Sequence, residues 1–244
     1  GQGDCTLISA NGKNILIDAG ENDQAERVTG YLKKQNISKI DILIGTHPHS
    51  DHIGGMDAVI NQFSVGEIIL PKLSDEQTPT TKTYLDLLTA IADKGVKVRR
   101  ATPGDTIEIG GGKLEILGPI SQYTDLNNMS VVSRFVYQDA SFWIAGDCSK
   151  EAEADLVSQG KVTKTNVYKV SHHGSSTASS QKFLDQLQPD YCVISLGADN
   201  SYGHPHKEVI KRLNKLDTTV YRTDISGTVT AQTDGKSIRF ATEK

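Results

Sequence analysis

Cysteine is scarce in this 244-residue chain: only Cys5, Cys148 and Cys192 occur, far apart from one another. Three thiols at such spacings build neither a disulfide framework nor a cysteine zinc site, so they read as small buried apolar residues. Long apolar runs are also missing, since none approaches the roughly 18 residues that a membrane-spanning helix needs. Basic charge is not in excess. With Lys+Arg 26 against Asp+Glu 30 the net charge is -4, which excludes a surface that coats nucleic acid generally and leaves only a local Lys/Arg groove for that purpose. No Pro/Ser-rich tract, charge block or low-complexity segment divides the chain, so residues 1–244 are expected to form one domain. Because the sequence opens at Gly1 rather than Met, that domain is expected to be excised from a longer protein, and localisation is not legible in it.

What is present is a regular alternation of short apolar runs and amphipathic stretches. Cys5–Ser9 and Asn14–Asp18 flank Asn11-Gly12, the signature of a tight β-hairpin turn. Glu21 to Gln35 carries Ala25, Val28, Tyr31 and Leu32 at helical spacing, and Ile40–Ile44 is a strand-length apolar run. Helices are expected at Met56–Phe63 and Thr83–Lys94, with a strand at Glu67–Leu70 between them and another at Val96–Val98. Gly110–Gly112 reads as the turn of a second hairpin. Strands at Val131–Tyr137, Ser141–Ala145, Asn166–Val170, Tyr191–Ser195, Thr219–Arg222 and Thr228–Gln232 then alternate with helices near 150–159, 179–187 and 206–216. Early hairpins followed by β-α alternation predict an α/β architecture of two mixed sheets with helices outside.

The segment Thr46-His-Pro-His-Ser-Asp-His-Ile-Gly-Gly55 gathers His47, His49, Asp51 and His52 directly after the Ile40–Ile44 strand. Three imidazoles and a carboxylate crowded together repel and desolvate one another unless a divalent cation takes up their lone pairs. Two more apolar strands run into possible ligands: Phe142–Gly146 into Asp147, and Val167–Val170 into Ser171-His172-His173-Gly174-Ser175. If both lie beside the Ile40–Ile44 strand, their ends converge on one rim, where a carboxylate bridges two cations about 3.5–4 Å apart. Taken singly, Asp147 equally suits a helix N-cap and His172-His173 equally suits packing.

Thr46–Gly55, Ala145-Gly-Asp147 and Ser171–Ser175 resemble the metal-binding motifs of the metallo-β-lactamase superfamily. Gly1-Gln-Gly-Asp4, Asp125–Ser130, Gly197 with Asn200-Ser-Tyr-Gly-His-Pro205, and Arg222-Thr-Asp224 extend the likeness along the whole chain. The variant is similar to the domain of this kind in ComEC-type competence proteins, the DNA-uptake channel family. A phosphorylcholine esterase domain is a further relative by its His cluster.

The resemblance implies an αββα sandwich with two divalent metal ions, zinc or manganese. It assigns His47 and His49 to the first, Asp51 and His52 to the second, Asp147 as the bridge, and one of His172 and His173 to complete the second. Asp18 either orients a ligand from behind or is an ordinary turn carboxylate. One departure stands out: where superfamily members carry another His ahead of the bridging Asp, this chain has Asn127-Asn128. Asn127 either replaces that ligand weakly or belongs to a strand-entry turn. His204 either binds a substrate phosphate or protonates a leaving oxygen, or is a loop histidine bonded to backbone. Ser175, Ser176 and Thr177 either cradle phosphate or cap a helix, while Lys207, Lys211 and Arg212 read as a solvated helix face.

The expected activity is metal-dependent phosphodiester hydrolysis of DNA, with Asp51 orienting the attacking water and His204 assisting the leaving group. The expected partners are DNA or another phosphodiester and a membrane channel domain of the same longer protein, at the membrane or outer face of a bacterial cell. The alternatives are a small phosphodiesterase such as a phosphorylcholine esterase, or a non-catalytic, metal-stabilised module of an uptake machine.

Overall fold

The computed structural model describes residues 2–244; Gly1, the first residue of the Gly1–Asp4 motif, lies outside the described residues. The first sheet holds five strands in the order of the chain: β1 (Thr6–Ala10), β2 (Lys13–Ile17), β3 (Lys39–Ile44), β4 (Ser64–Leu70) and β5 (Lys97–Arg100). Only β1 and β2 are antiparallel; β2 through β5 run parallel. Helices α1 (Ala25–Lys34), α2 (Ser50–Ile53), α3 (Met56–Gln62) and α4 (Lys82–Lys94) belong to this half.

The second sheet holds β6 (Thr106–Ile109), β7 (Gly112–Gly118), β8 (Val132–Tyr137), β9 (Ala140–Ile144), β10 (Val167–Lys169), β11 (Tyr191–Ile194) and β12 (Thr219–Arg222), side by side in chain order. Its β6–β9 part is an antiparallel meander, and its β9–β12 part is parallel. The helices α5 (Lys150–Ser158), α6 (Gln181–Leu187), α7 (Lys207–Leu213) and α8 (Thr223–Ser226) accompany these strands, and β13 (Val229–Thr233) pairs with β14 (Ile238–Thr242) as a separate hairpin.

Side-chain alternation explains how the layers stack. Successive residues of a strand point to opposite faces, so a strand buried on both reads as an unbroken apolar run. In β2 and β3, Leu16 and Leu43 face the helical layer with Ile53, Met56, Tyr84 and Leu87. Their neighbours Ile15, Ile17, Ile42 and Ile44 face the other sheet and meet Leu114, Ile116, Phe135 and Ile144. On the far side of the second sheet, Trp143, Tyr168 and Cys192 pack against Phe183 and Leu187 of α6 and Val209 and Leu213 of α7. Three apolar layers thus produce the expected αββα sandwich.

Three expectations need correction. The strands leading to Asp147 and His172 do not lie beside β3; β9 and β10 belong to the opposite sheet. Cys5 is exposed, although Cys148 and Cys192 are buried. The 206–216 helix is shorter, Lys207–Leu213, and the closing strand β14 went unpredicted because Ile238–Thr242 is only half-apolar.

Leu114 is fully buried between the sheets and is itself no part of the His/Asp cluster. Leu114→Ala is expected to lower unfolding free energy by about 2–5 kcal/mol, read as a shift in urea midpoint at unchanged slope.

Candidate metal centre

Because β2 and β3 are parallel in one sheet and β9 and β10 are parallel in the other, their C-terminal ends open onto one rim between the sheets. Two backbone bonds stitch that rim together: Val131 N donates to Thr46 O at 2.8 Å, and His172 N donates to Gly146 O at 3.1 Å. Gly146 has φ +50, and a Cβ there would stand 2.6 Å from Thr46 Oγ1. Only glycine lets the Asp147 loop approach the His47 loop so closely.

Behind the rim, Asp18 organises the His cluster. Its Oδ1 accepts from Thr46 N at 2.8 Å and its Oδ2 from Thr46 Oγ1 at 2.7 Å, and His52 Nδ1 lies 2.7 Å from Oδ2. A carboxylate can only accept, so His52 donates from Nδ1 and turns a bare Nε2 toward the rim. His173 is held the same way, with Nδ1 3.0 Å from the Ser195 carbonyl. Asp51 and His52 do not sit in a plain loop; the single helical turn of α2 carries them.

The bare nitrogens meet two carboxylates. His52 Nε2 is 3.2 Å from Asp147 Oδ1 and 3.7 Å from Asp51 Oδ2. His173 Nε2 is 3.3 Å from Asp51 Oδ2 and 3.6 Å from Asp147 Oδ1. These separations bracket about 3.4 Å, the edge of a tetrahedron whose corners lie about 2.1 Å from its centre, which is the geometry of N/O ligands around one divalent cation. His52 Nε2, Asp147 Oδ1 and His173 Nε2 are all buried without a hydrogen-bond partner. Buried polar atoms left bare in one small volume fit a cation and little else.

The other oxygen of Asp147 faces a second, looser set. His172 Nε2 is 3.5 Å and His47 Nε2 4.0 Å from Asp147 Oδ2, while His47 Nε2 is 3.0 Å from His49 Nδ1. His172 and His173 therefore straddle Asp147, one on each side. Both adopt left-handed backbone, φ 53 and 52, a conformation that non-glycine residues hold only where the surroundings enforce it. Thr177 Oγ1, 3.1 Å from His172 Nδ1, helps aim that ring. The Ser175–Thr177 run does not cap α6; Ser180 does, accepting from Phe183 N at 3.4 Å.

The electrostatics follow from the crowding. Burial opposes ionisation of Asp147, but His52 and His173 beside it hold its carboxyl well below the usual range. Burial likewise disfavours charge on His52, yet Asp147 and Asp18 outweigh it and push that imidazole well above the ordinary value. Burial and the neighbouring His52 drive His47 well down. Asp51 is lowered to about 2: its own desolvation is outweighed by His173 and His52. The carboxylates are set up to face positive charge.

Asp4 was not foreseen in the site. It is buried, ion-pairs with the buried Lys169, and puts Oδ1 3.3 Å from His173 Nδ1. One ligand atom each from Asp4, His52, Asp147 and His173 lies within 4.8 Å of the others, so Asp4 is an alternative to Asp51 in the donor set. Asp51 is the better donor, because its Oδ2 faces the Nε2 atoms whereas Asp4 stands on the Nδ1 side, paired with Lys169. The Gly1-Gln-Gly-Asp4 motif marked it only as part of the family likeness, because an acidic residue after Gly-Gln-Gly has no ligand spacing.

Asn128 is committed to the loop, donating from Nδ2 to Glu151 Oε2 at 2.9 Å and accepting from Ser149 N at 3.0 Å. Asn127 donates its backbone N–H to Asp125 and keeps Oδ1 buried and unpartnered. Ser130 was also missed; its Oγ stands 3.4 Å from His47 Nδ1 and accepts from Asp147 N at 3.1 Å. His204 lies over His173, with ring centroids 6.2 Å apart. Burial and the nearby His173 hold His204 down to about 4, and Gln2 Nε2 donates to its Nδ1 at 3.2 Å.

A metal centre between strand ends of an αββα sandwich is the site of a metallohydrolase class. Residues 1–198 match the family model of the metallo-beta-lactamase superfamily, and the chain belongs to that superfamily. It is 30% identical over 248 residues to ComE operon protein 3 of Bacillus subtilis (strain 168), covering 94% of this chain and 31% of that protein. It is 32% identical to Recombination protein 2 of Haemophilus influenzae, covering 94% and 27% respectively. The chain thus spans less than a third of each of these relatives. Among solved structures, the diiron beta-hydroxylase CmlA from Streptomyces venezuelae shares the fold with a TM-score of 0.61 at 14% identity, over 91% of this chain and 51% of that one.

Asp18→Ala would leave Thr46 N, Thr46 Oγ1 and His52 Nδ1 without their acceptor. The expected cost is about 3 kcal/mol, measured by urea denaturation of the metal-free protein. A loss below about 1 kcal/mol would show that Asp18 is not what secures the His cluster.

Proposed function

We propose that this chain is a phosphodiester hydrolase that binds two divalent cations and cuts DNA, as one part of a longer DNA-uptake protein. The observation that carries the reading is the division of Asp147: Oδ1 faces His52 and His173, with Asp51 beside them, while Oδ2 faces His47 and His172. The tighter set suits one cation, and the looser set, with His49, suits a second. His172, on the Oδ2 side of Asp147, is the third imidazole of that looser set. Zinc or manganese would each accept this mixture of imidazole and carboxylate.

His52, His173, Asp51 and Asp147 on one side and His47, His49 and His172 on the other would hold the cations, which when bound would supply an acidified water and neutralise charge on phosphoryl oxygens. Asp51, ionised and partly open to solvent, accepts a hydrogen bond from the attacking water and orients it. His204 is neutral, and with Nδ1 taken by Gln2 it presents Nε2–H to a phosphate or leaving oxygen. It is a hydrogen-bond donor at neutral pH rather than a charged acid. Exposed Lys207 and Lys211 on α7 follow directly from the His204–His206 segment and are the local basic groups that an acidic chain needs to hold a polyanion.

The DNA substrate is supported by the likeness to competence proteins, since the fold alone does not choose among phosphate esters, lactams and thioesters. The same likeness supports a membrane channel segment of the same longer protein as the partner, at the outer face of a bacterial cell. No helix among the described residues is long and apolar enough to cross a membrane, so that segment would lie elsewhere.

Two outcomes test this. Asp147→Asn is expected to abolish hydrolysis of bis(p-nitrophenyl) phosphate and lower metal content by elemental analysis, with an unchanged circular dichroism spectrum; full activity would remove Asp147 from the chemistry. With about three phosphates engaged, a fourfold rise in salt should cut turnover of single-stranded DNA at limiting substrate by roughly 20-fold, while the small ester barely responds. Ester turnover with no DNA cleavage at any salt would move the assignment to a small phosphodiesterase, and no turnover with both metals bound would move it to a docking module.

A further inference from the structure

We infer that Tyr202 is a base-stacking residue: its open ring face holds a nucleobase of a single-stranded nucleic acid while the adjoining phosphodiester lies at Asp147. The inference rests on the diester reading above and narrows its substrate. Tyr202 is 66% exposed and belongs to none of the apolar clusters, so packing does not account for it. One face of its ring is covered by His204, with centroids 5.6 Å apart and planes 18° apart. His204 lies in turn over His173, 6.2 Å and 20° away. Three near-parallel rings therefore form a ladder that begins at the metal centre and ends in solvent.

The ladder is fixed rather than draped over the site. Asn200 Oδ1 accepts from His204 N at 2.9 Å, and Asn200 Nδ2 donates to the carbonyls of Gly197 and His204 at 2.9 Å each. Gln2 holds the His204 ring from one side and His206 meets it edge-on, with centroids 4.9 Å apart. His206 N donates to Gly174 O at 2.9 Å, tying the loop to the segment that carries His172 and His173. An exposed aromatic face stacked on that anchored His204 ring suits a flat base of any sequence, because every base has a π-face. A quaternary ammonium headgroup calls for several aromatic walls, and among the described residues the other exposed aromatic is Tyr31, on α1.

The test is fluorescence anisotropy of the metal-loaded protein with a labelled oligothymidylate and with an equally long oligomer of abasic units. Both carry phosphorothioate linkages to slow hydrolysis. The wild type is expected to prefer the base-bearing oligomer by roughly five- to one-hundred-fold. Tyr202→Ala should abolish that preference and Tyr202→Phe should keep it, with metal content equal in all three. An unchanged preference in Tyr202→Ala alongside intact DNA cleavage overturns the stacking role and leaves the diester reading standing. Failure of the wild type to bind either oligomer removes both. Displacement of the oligomer by phosphorylcholine from the wild type but not from Tyr202→Ala would assign the ring to a choline headgroup and overturn the inference.

Discussion

Asp147 is a carboxylate almost wholly removed from water, with Oδ1 bonded to nothing. Such a group persists only where positive charge faces it, and each of its oxygens looks toward its own imidazoles. Much of the rim follows from this demand. Gly146 brings the carboxylate within reach of the first sheet, Ser130 holds its backbone N–H, and His172 and His173 enclose it from β10. The two sheets are joined by apolar packing, and at the rim this side chain meets His47 and His52 of the first sheet, beside the Val131–Thr46 backbone bond.

The backbone around it is unusually constrained. Asp18, Gly146, His172, His173 and Gly174 all have positive φ, and all lie within a residue or so of a proposed ligand or its support. Left-handed backbone costs a non-glycine residue of order 1 kcal/mol or more, so the cluster sits on rigid foundations: three buried apolar layers below, side-chain bonds from the buried Asp18 and Thr46 behind it, and Thr177 at the surface. This order fits a centre whose ligand distances must be right before a cation arrives.

Function is layered on that foundation by different parts of the chain. The strand ends fix which ion and which hydrolytic chemistry are possible. The 197–206 loop, which meets the centre through His204 and is tied by His206 to the Gly174 carbonyl and Ser176 N, lies outside the proposed ligand set. That separation explains how one fold serves many substrates, since the loops outside the ligand set vary without disturbing it.

Much of this was legible in the sequence. Unbroken apolar runs such as Ile15–Ile17, Ile42–Ile44 and Phe142–Ala145 require burial on both faces, and the β-α alternation leaves few architectures that supply it. The crowding of His47, His49, Asp51 and His52 needs a cation whatever the fold, because four ligands within six positions meet locally. Other features were decided only in three dimensions. Asp4 is 165 positions from Lys169 in sequence, and no spacing rule links them. That β9 and β10 face β3 from the opposite sheet depends on long-range pairing, which local periodicity does not encode. The division of His172 and His173 to opposite sides of Asp147 rests on two left-handed residues in succession, and the ladder from His173 to Tyr202 on a loop folded back by Asn200. Sequence determined the ligand types and the strand ends because both are local; tertiary structure decided which side of each carboxylate every imidazole serves, because that is set by contacts between segments far apart in the chain.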